Sequence, residues 1–314
     1  MKMIPKITAL AASAVLLVGV AGCAGNSGTS GDSSGSGSDS GSGNKKIALL
    51  MASLTTDFFV QAGDEAKKYA SENDIDLTVT TSDNDASKEL SNMQDIVGQA
   101  PDAIIFDPVD STSGAAAVRL ANAAKIPVIT MDRGVPDAET VSHVASDNEA
   151  GGKLAAEYLK EQFPDGAQVA ELQGILSTDI ATQRGGGFEK ELKTQSNLKI
   201  VATQSANFDK SQGFTVFQNI LQANPKLNAV FAHNDEMALG ALQAAEAAGR
   251  KDIVIVGFDG SADALAAIKD GRMAASVAQL PDQIVDTAMD TAVSAIDGKK
   301  VEAEIGVPLK LITK

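Results

Sequence analysis

The chain has 314 residues, enough for about two domains, and 44% of them are hydrophobic, so it can bury sizeable cores. Asp and Glu number 41 against 26 Lys and Arg, which gives a formal net charge of −15. That charge argues against a nucleic-acid binder and against electrostatic docking on anionic lipid, since both need clustered basic residues. One Cys and two His exclude an intrachain disulfide and a metal site built from those side chains. We therefore expect no metal and no cofactor.

The first 22 residues are typical of a secretory signal. Lys2 and Lys6 precede an apolar stretch over 7–20, which as a helix would span about 21 Å, too short for a bilayer core of about 30 Å. Small residues then lead directly to Cys23, the only cysteine, in a pattern that resembles the lipobox of bacterial lipoproteins. The pattern predicts cleavage before Cys23 and a lipid on it, which would anchor the protein to the cell membrane outside the cytoplasm. The alternative is an ordinary signal followed by an incidental cysteine.

Residues 23–44 form a predicted tether. Fifteen of these 22 residues are Gly or Ser, so the segment cannot bury apolar area and behaves as a flexible coil. The pattern Gly-Asp-Ser-Ser-Gly at 31–35 matches a hydrolase nucleophile motif, but it has neither the preceding strand nor the following helix that the motif needs. We therefore do not interpret it as catalytic.

After the tether, short apolar runs alternate with helical patterns. Strands are predicted at 46–52, 76–81, 103–106, 127–131, 167–172, 199–203, 229–232, 253–257 and 274–278. Helices are predicted at 58–73, 86–98, 114–124 and 149–162, with further helices between the later strands. Such alternation is typical of α/β folds with parallel sheets covered by helices on both faces. About 270 residues follow the tether, which favours two doubly wound lobes over one sheet.

Polar and aromatic residues follow several predicted strands, at the edge where such sheets bind ligands. They are Thr55 to Phe59, Asp132, Arg133, His233 to Asp235, Phe258, Asp259 and Gln279. This collection contains no evident nucleophile–base pair, and it suits a polyhydroxylated ligand, because carboxylates, amides and guanidinium groups pair with hydroxyls while rings cover apolar faces. Taken singly, each Asp could be a turn or helix cap, and the Phe pair could be core.

Six segments carry a specific resemblance over essentially all of 46–314. They begin at Phe58, Val128, Val141, Phe231, Val256 and Ala278 and read FF, VITMDR, VSHVASDN, FAHNDEMALG, VGFDG and AQLPDQ. Together they resemble the ribose-binding protein family of bacterial sugar ABC transporters. The resemblance implies two doubly wound parallel-sheet α/β lobes of the periplasmic-binding-protein type, which close on a monosaccharide through a hinge of three chain crossings.

The resemblance also implies the binding residues. By position, Phe58, Phe59 and Phe208 match aromatics that sandwich the sugar, with Phe258 nearby. The polar contacts that match are Asp132, Arg133, Arg184, Asn234, Asp259 and Gln279. Thr56 stands where the family has an Asn just before Pro-Phe-Phe, and Asp57 replaces that Pro. This departure bears on the identity of the sugar, for which ribose is expected first and a fructose-like or other furanose second.

The same match implies the organisation of the chain and its partners. An N-terminal lobe is expected over 45–146 plus 280–308, and a C-terminal lobe over 147–279 plus 309–314. The expected partners are a monosaccharide, an ABC-transporter permease and the membrane through the lipid on Cys23, for a monomer that binds no nucleic acid. Two alternatives remain, a secreted sugar-modifying enzyme and a sugar-sensing transcription regulator of similar fold. For the two histidines, we interpret His143 as a structural hydrogen-bonder and His233 as a residue of the site's rim.

Overall fold

The computed structural model describes residues 43–314, so the predicted signal over 1–22, Cys23 and nearly all of the predicted tether lie outside it. The strands are β1 (Lys46–Met51), β2 (Asp76–Thr81), β3 (Ala103–Phe106), β4 (Val128–Met131), β5 (Ser142–Ser146), β6 (Ala167–Gln173), β7 (Leu198–Ser205), β8 (Ala229–Ala232), β9 (Val254–Asp259), β10 (Ala275–Ala278), β11 (Glu304–Val307) and β12 (Lys310–Thr313). The helices are α1 (Asp57–Glu72), α2 (Ala86–Gly98), α3 (Gly114–Ala123), α4 (Asn148–Gln162), α5 (Asp179–Leu192), α6 (Lys210–Ala223), α7 (Asp235–Ala247), α8 (Ala262–Lys269) and α9 (Pro281–Ile296).

Two six-stranded sheets share one strand order. The first runs β11-β5-β4-β3-β1-β2 and the second runs β12-β10-β9-β8-β6-β7. All pairings are parallel except that of β10 with β12. The order reverses beside β1 in the first sheet and beside β6 in the second, and such reversals are where doubly wound sheets bind ligands. The predicted fold class of two parallel-sheet α/β lobes is confirmed.

The chain passes between the sheets three times in the described range. It leaves the first sheet after β5, returns after β10 through α9, and divides β11 and β12 between the two sheets. We call the first sheet with α1 to α3 and α9 the first lobe, and the second sheet with α4 to α8 the second lobe. Among residues 43–314, no helix is both long and apolar enough to cross a membrane.

Buried apolar strands organise both lobes. All residues of β3 and β8 are buried, as expected for central parallel strands covered on both faces. In the first lobe, α1 and α9 pack on one face and α2 and α3 on the other. In the second lobe, α4 and α5 pack on one face and α6 to α8 on the other. Because the apolar side chains pack between each sheet and its helices, the carboxyl ends of the strands remain available for polar residues.

Glycines bring α4 and α5 into close contact. A Cβ on Gly152 would lie 2.0 Å from the carbonyl oxygen of Arg184, and a Cβ on Gly187 would lie 2.0 Å from that of Glu149. Any larger residue would therefore push the two helices apart. The contact fixes the part of α5 that carries Arg184, one of the residues singled out by sequence.

The sequence patterns did not predict β11 and β12. Each is a four-residue strand at the edge of its sheet, and most of its residues are exposed or half-buried. Edge strands of this kind lack the continuous apolar run that identifies a buried strand.

Candidate functional site

The two lobes face each other across a cavity of about 340 Å³ at the carboxyl ends of their strands. Its lining residues are Thr56, Phe58, Phe59, Asp132, Arg133, Ile180, Arg184, Phe208, Asn234, Asp259 and Gln279. The structure thus brings together all the predicted binding residues except Phe258. Ile180 is a lining residue that sequence reasoning missed.

Three of the lining residues have a left-handed backbone. The φ angle is 58° at Asp132, 60° at Phe208 and 116° at Asp259. Outside glycine such angles are uncommon and cost about 1–3 kcal/mol each. Strained conformations of this kind concentrate at functional sites. Here all three fall on loops or strand ends that aim side chains into one cavity.

In the first lobe, Asp132 and Arg133 directly follow β4 and are both buried. Arg133 Nη1 donates to the carbonyl oxygens of Pro108 and Val109, at 3.1 and 2.9 Å. Its Nε lies 4.0 Å from both Asp132 Oδ2 and Asp107 Oδ1. Burial raises the pKa of Asp132, although Arg184 and Arg133 oppose the rise. Among the described residues, Asp132 Oδ1 and Arg133 Nε have no hydrogen-bond partner.

In the second lobe, Arg184 is held from several sides. Its Nε donates to Asn148 Oδ1 at 2.8 Å, and its Nη1 donates to the carbonyl oxygen of His233 at 2.6 Å. Nη1 also lies 3.8 Å from Asp259 Oδ1. The guanidinium carbon lies 3.8 Å from the centre of the Phe258 ring. Burial lowers the pKa of Arg184, and the nearby Asp259 opposes this change.

Asp259 and Gln279 extend the polar wall of the second lobe. Gln279 Nε2 donates to Asp259 Oδ1 at 2.9 Å, while Gln279 Oε1 is buried and finds no partner within residues 43–314. Burial raises the pKa of Asp259 to about 6, although Arg184 opposes the rise. Asn234 caps α7 by accepting from the amide of Met237 at 3.0 Å. Its Nδ2 donates to the carbonyl oxygen of Phe208 at 3.2 Å, which steadies the loop that carries this ring.

Aromatic rings form the apolar part of the wall. Phe58 and Phe59, in the first turn of α1, pack edge to face with ring centres 5.3 Å apart. The guanidinium carbon of Arg133 lies 5.4 Å from the centre of the Phe59 ring and 5.8 Å from that of Phe208. Arg184 lies 6.0 Å from the centre of the Phe208 ring. Phe208 therefore stands near both arginines, in the range of cation–π attraction.

Phe258 is placed differently from the other predicted residues. It does not line the cavity, because its side chain is fully buried in the core of the second lobe. Its ring lies under the guanidinium of Arg184. It thus supports a lining residue from behind, and the prediction that Phe258 is itself a binding residue is wrong.

The two histidines have structural contacts. His233 is fully buried, with Nε2 2.9 Å from Glu171 Oε1, so the interpretation of His233 as a rim residue is wrong. Burial lowers the pKa of His233. His143 Nδ1 lies 3.0 Å from Thr130 Oγ1, in agreement with the interpretation of His143 as a structural hydrogen-bonder.

Thr56 stands at the N-terminus of α1, but its side chain makes no capping hydrogen bond. It lines the cavity described above and also an adjoining cavity of about 430 Å³. Phe58, Asp259 and Gln279 line both cavities as well. The short Thr56 side chain therefore stands where the two spaces meet, and its hydroxyl is not used to cap α1.

Carboxylates, guanidinium groups, amides and aromatic rings thus converge from two lobes on one cavity. The chemistry of such a wall suits a small polar ligand that has apolar faces. Fold and site together define a two-lobed small-molecule binding protein. The family described as periplasmic binding protein domain matches residues 47–300, and the chain belongs to this family.

Named relatives agree with that assignment. The ribose import binding protein of Salmonella typhimurium is 45% identical over 268 residues, which cover 85% of this chain and 90% of the relative. The ribose import binding protein of Bacillus subtilis is 42% identical, with 87% and 90% covered. The fructose import binding protein of Bifidobacterium longum is 34% identical, with 99% and 94% covered. The family resemblance inferred from the six segments is confirmed.

A solved structure shows the same fold with a sugar bound. It is an ABC transporter periplasmic solute binding protein from Actinobacillus succinogenes with D-allose. It superposes on this chain with a TM-score of 0.82 at 33% identity, covering 86% of this chain and 98% of the other. The named relatives are import binding proteins.

Proposed function

We propose that this chain is the sugar-binding component of an ABC import system, held outside the cytoplasm by a lipid on Cys23. It closes its two lobes on a monosaccharide and delivers the sugar to the permease. Ribose is the first candidate, and a fructose-like or other furanose sugar is the second. The ribose and fructose import binding proteins among the relatives support these candidates.

One observation carries the proposal. Asp132 Oδ1 and Gln279 Oε1 are buried acceptors on the two sides of the cavity, and neither has a partner among the described residues. A buried acceptor without a partner costs about 1–3 kcal/mol, so a ligand with several hydroxyl groups would recover free energy on both sides at once. The rings of Phe58, Phe59 and Phe208 would cover the apolar faces of the same ligand.

A ligand that bridges both lobes favours the closed form, because only that form offers all contacts together. Micromolar affinity requires about 8 kcal/mol net, which several charge-assisted hydrogen bonds of about 1.5–3 kcal/mol each can supply after the costs of ordering and closure. The permease would then recognise the closed arrangement of the two lobes.

Titration calorimetry with a panel of sugars tests the ligand assignment. The panel contains ribose, fructose, allose, arabinose and myo-inositol, and we expect ribose to bind with the highest affinity. Recovery of unchanged sugar from the complex after prolonged incubation would distinguish binding from sugar modification. If no sugar of the panel binds, the proposed function is wrong.

Fractionation tests the proposed anchor. The wild-type chain should separate with the membrane fraction and carry a lipid on its N-terminal residue. Cys23→Ala should release it into the soluble fraction, because Cys23 is the only thiol available for lipidation. Ser27→Ala, in the same tether, is the matched control and should leave the distribution unchanged. A wild-type chain that is soluble and carries no lipid would rule out the anchor.

A further inference from the structure

The lobes contact each other directly at a second place, beside the cavity. Asp179, the first residue of α5 in the second lobe, accepts from Ser111 Oγ at 3.1 Å and from the amide of Gly134 at 2.9 Å. Its own amide donates to Ser111 Oγ at 3.0 Å. The amide of Ser111 donates to the carbonyl oxygen of Ser177 at 3.1 Å. Ser111 and Gly134 belong to the first lobe, so all four hydrogen bonds join the lobes.

We propose that Asp179 is a latch that sets sugar affinity by stabilising the closed form without touching the sugar. Asp179 does not line the cavity, but its neighbour Ile180 does. Gly134 directly follows Arg133, which lines the cavity from the first lobe. The latch thus ties the end of β4, which is followed by Asp132 and Arg133, to the helix that carries Arg184. This inference rests on the proposed sugar-dependent closure.

Gly134 is shaped for this contact. A Cβ added there would lie 2.7 Å from Asp179 Oδ2, too close for the carboxylate to remain in place. Gly134→Ala should therefore open the latch while leaving Asp179 and every cavity residue intact. Ser111→Ala removes the hydroxyl that both donates to and accepts from Asp179.

Rates of ribose binding test the latch. We expect Asp179→Ala to release ribose about tenfold faster, because hydrogen bonds that form only on closure are lost. Association should change less than threefold, and the ratio of ribose to fructose affinity should stay unchanged. Gly134→Ala should act in the same direction. Asp263→Ala removes an exposed carboxylate from the first turn of α8 in the same lobe and should leave both rates unchanged.

A double-mutant cycle separates a latch from a general loss of stability. If the Asp179 carboxylate and Ser111 act on one another, Ser111→Ala should have a smaller effect in the Asp179→Ala background than in wild type. The remaining effect comes from the backbone amide of residue 179, which still donates to Ser111 Oγ. Additive effects, or an altered ratio of ribose to fructose affinity, would show that Asp179 acts in another way.

Amide exchange at Gly134 in the ribose-saturated protein reads the latch directly. Exchange should be faster in Asp179→Ala than in wild type and unchanged in Asp263→Ala. Equal exchange in wild type and Asp179→Ala would overturn the latch. If wild type binds no sugar of the panel, the proposed function fails, whereas wild type and Asp179→Ala that release ribose at the same rate would overturn the latch alone.

Discussion

The two halves of the site differ in how completely their charged groups are paired. In the second lobe, Arg184 has two hydrogen bonds, a stacked ring and a nearby carboxylate. In the first lobe, Arg133 Nε and Asp132 Oδ1 have no partner within the described residues. The charged groups of the second half are therefore paired before a ligand arrives, whereas the first half depends on the ligand to complete the hydrogen bonds of Arg133 Nε and Asp132 Oδ1. Substitutions in the first half of the site should therefore mainly weaken sugar binding.

The largest difference in ribose affinity should appear between variants of two matched carboxylates, Asp132 in the first lobe and Asp259 in the second. Asn keeps the shape of Asp and tolerates a positive φ, so Asp132→Asn and Asp259→Asn remove charge with little backbone change. We expect Asp132→Asn to weaken ribose binding by about 3 kcal/mol, since the sugar loses a buried charged acceptor, Oδ1, that has no other partner among the described residues. Asp259→Asn should cost about 1.5 kcal/mol, because Arg184 retains Asn148 and the carbonyl oxygen of His233.

Calorimetry at neutral pH measures both losses, and thermal unfolding without sugar checks that each variant is folded. Equal losses in the two variants would contradict the difference between the lobes. Near-normal affinity in both variants would remove the two carboxylates from the site.

The pH dependence of binding should follow Asp259. Burial raises the pKa of Asp259 to about 6, so its carboxyl group is ionised at pH 7 and mostly protonated at pH 5. If the ionised form accepts the sugar hydroxyls, affinity falls as pH drops through about 6 and is roughly tenfold lower at pH 5. Asp259→Asn should reduce this fall, and Asp132, whose pKa burial also raises, should account for the remainder.

Folding without sugar should respond in the opposite direction. The usual pKa of this carboxyl group is 3.8, so between about pH 4 and 6 the folded state holds the proton more strongly than the unfolded state. The contribution of Asp259 to stability therefore decreases as pH rises through that range. A ribose affinity that is flat from pH 5 to 7 in wild type would exclude Asp259 as an ionised acceptor.

Two phenylalanines of the second lobe provide a smaller contrast. Phe208 lines the cavity, whereas Phe258 is fully buried behind Arg184. Phe208→Leu should weaken ribose binding by about 1 kcal/mol and leave thermal stability nearly unchanged. Phe258→Leu should lower the free energy of unfolding by about 1–2 kcal/mol, because it leaves a gap in a packed core. The reverse pattern would place Phe258 at the ligand and Phe208 in the core.

The sequence predicted the fold well where strands are buried on both faces. Runs such as Ala103–Phe106 and Ala229–Ala232 have no polar residue and are entirely buried. Strands β11 and β12 escaped prediction because residues such as Glu304 and Lys310 are exposed at the sheet edges. Local periodicity does not reveal an edge strand whose only partner is distant in sequence.

The candidate site followed from strand ends and from the family resemblance, and contact of its residues with a sugar stays a prediction. The placement of Phe258 could have been predicted, since successive residues of a strand point to opposite faces and Asp259 faces the cavity. Other contacts join residues far apart in the chain, such as His233 with Glu171 and Asp179 with Ser111. No local pattern marks such pairs. Ile180 is an ordinary apolar residue, so nothing in its chemistry marked it as lining the cavity.

The smallest expected effect concerns Thr56, which belongs to the half that depends on its ligand. Thr offers one hydroxyl close to the backbone, whereas Asn extends further with two donors and one acceptor. Because Thr56 makes no capping bond and lies where two cavities meet, Thr56→Asn should reach into the space beside the sugar. We expect ribose affinity to increase by about 1 kcal/mol, the worth of one net hydrogen bond, and affinity for larger sugars such as fructose to decrease.

Calorimetry with ribose and fructose on wild type and Thr56→Asn measures both changes in affinity. Thr55→Asn is the matched control, because Thr55 precedes Thr56 in the same loop, is exposed and does not line the cavity. A gain for ribose combined with a loss for fructose would identify Thr56 as the residue that leaves room for a ligand larger than a pentose. If neither affinity changes in Thr56→Asn, the Thr56 side chain does not contact the sugar. Its departure from the family pattern would then have no bearing on which sugar binds.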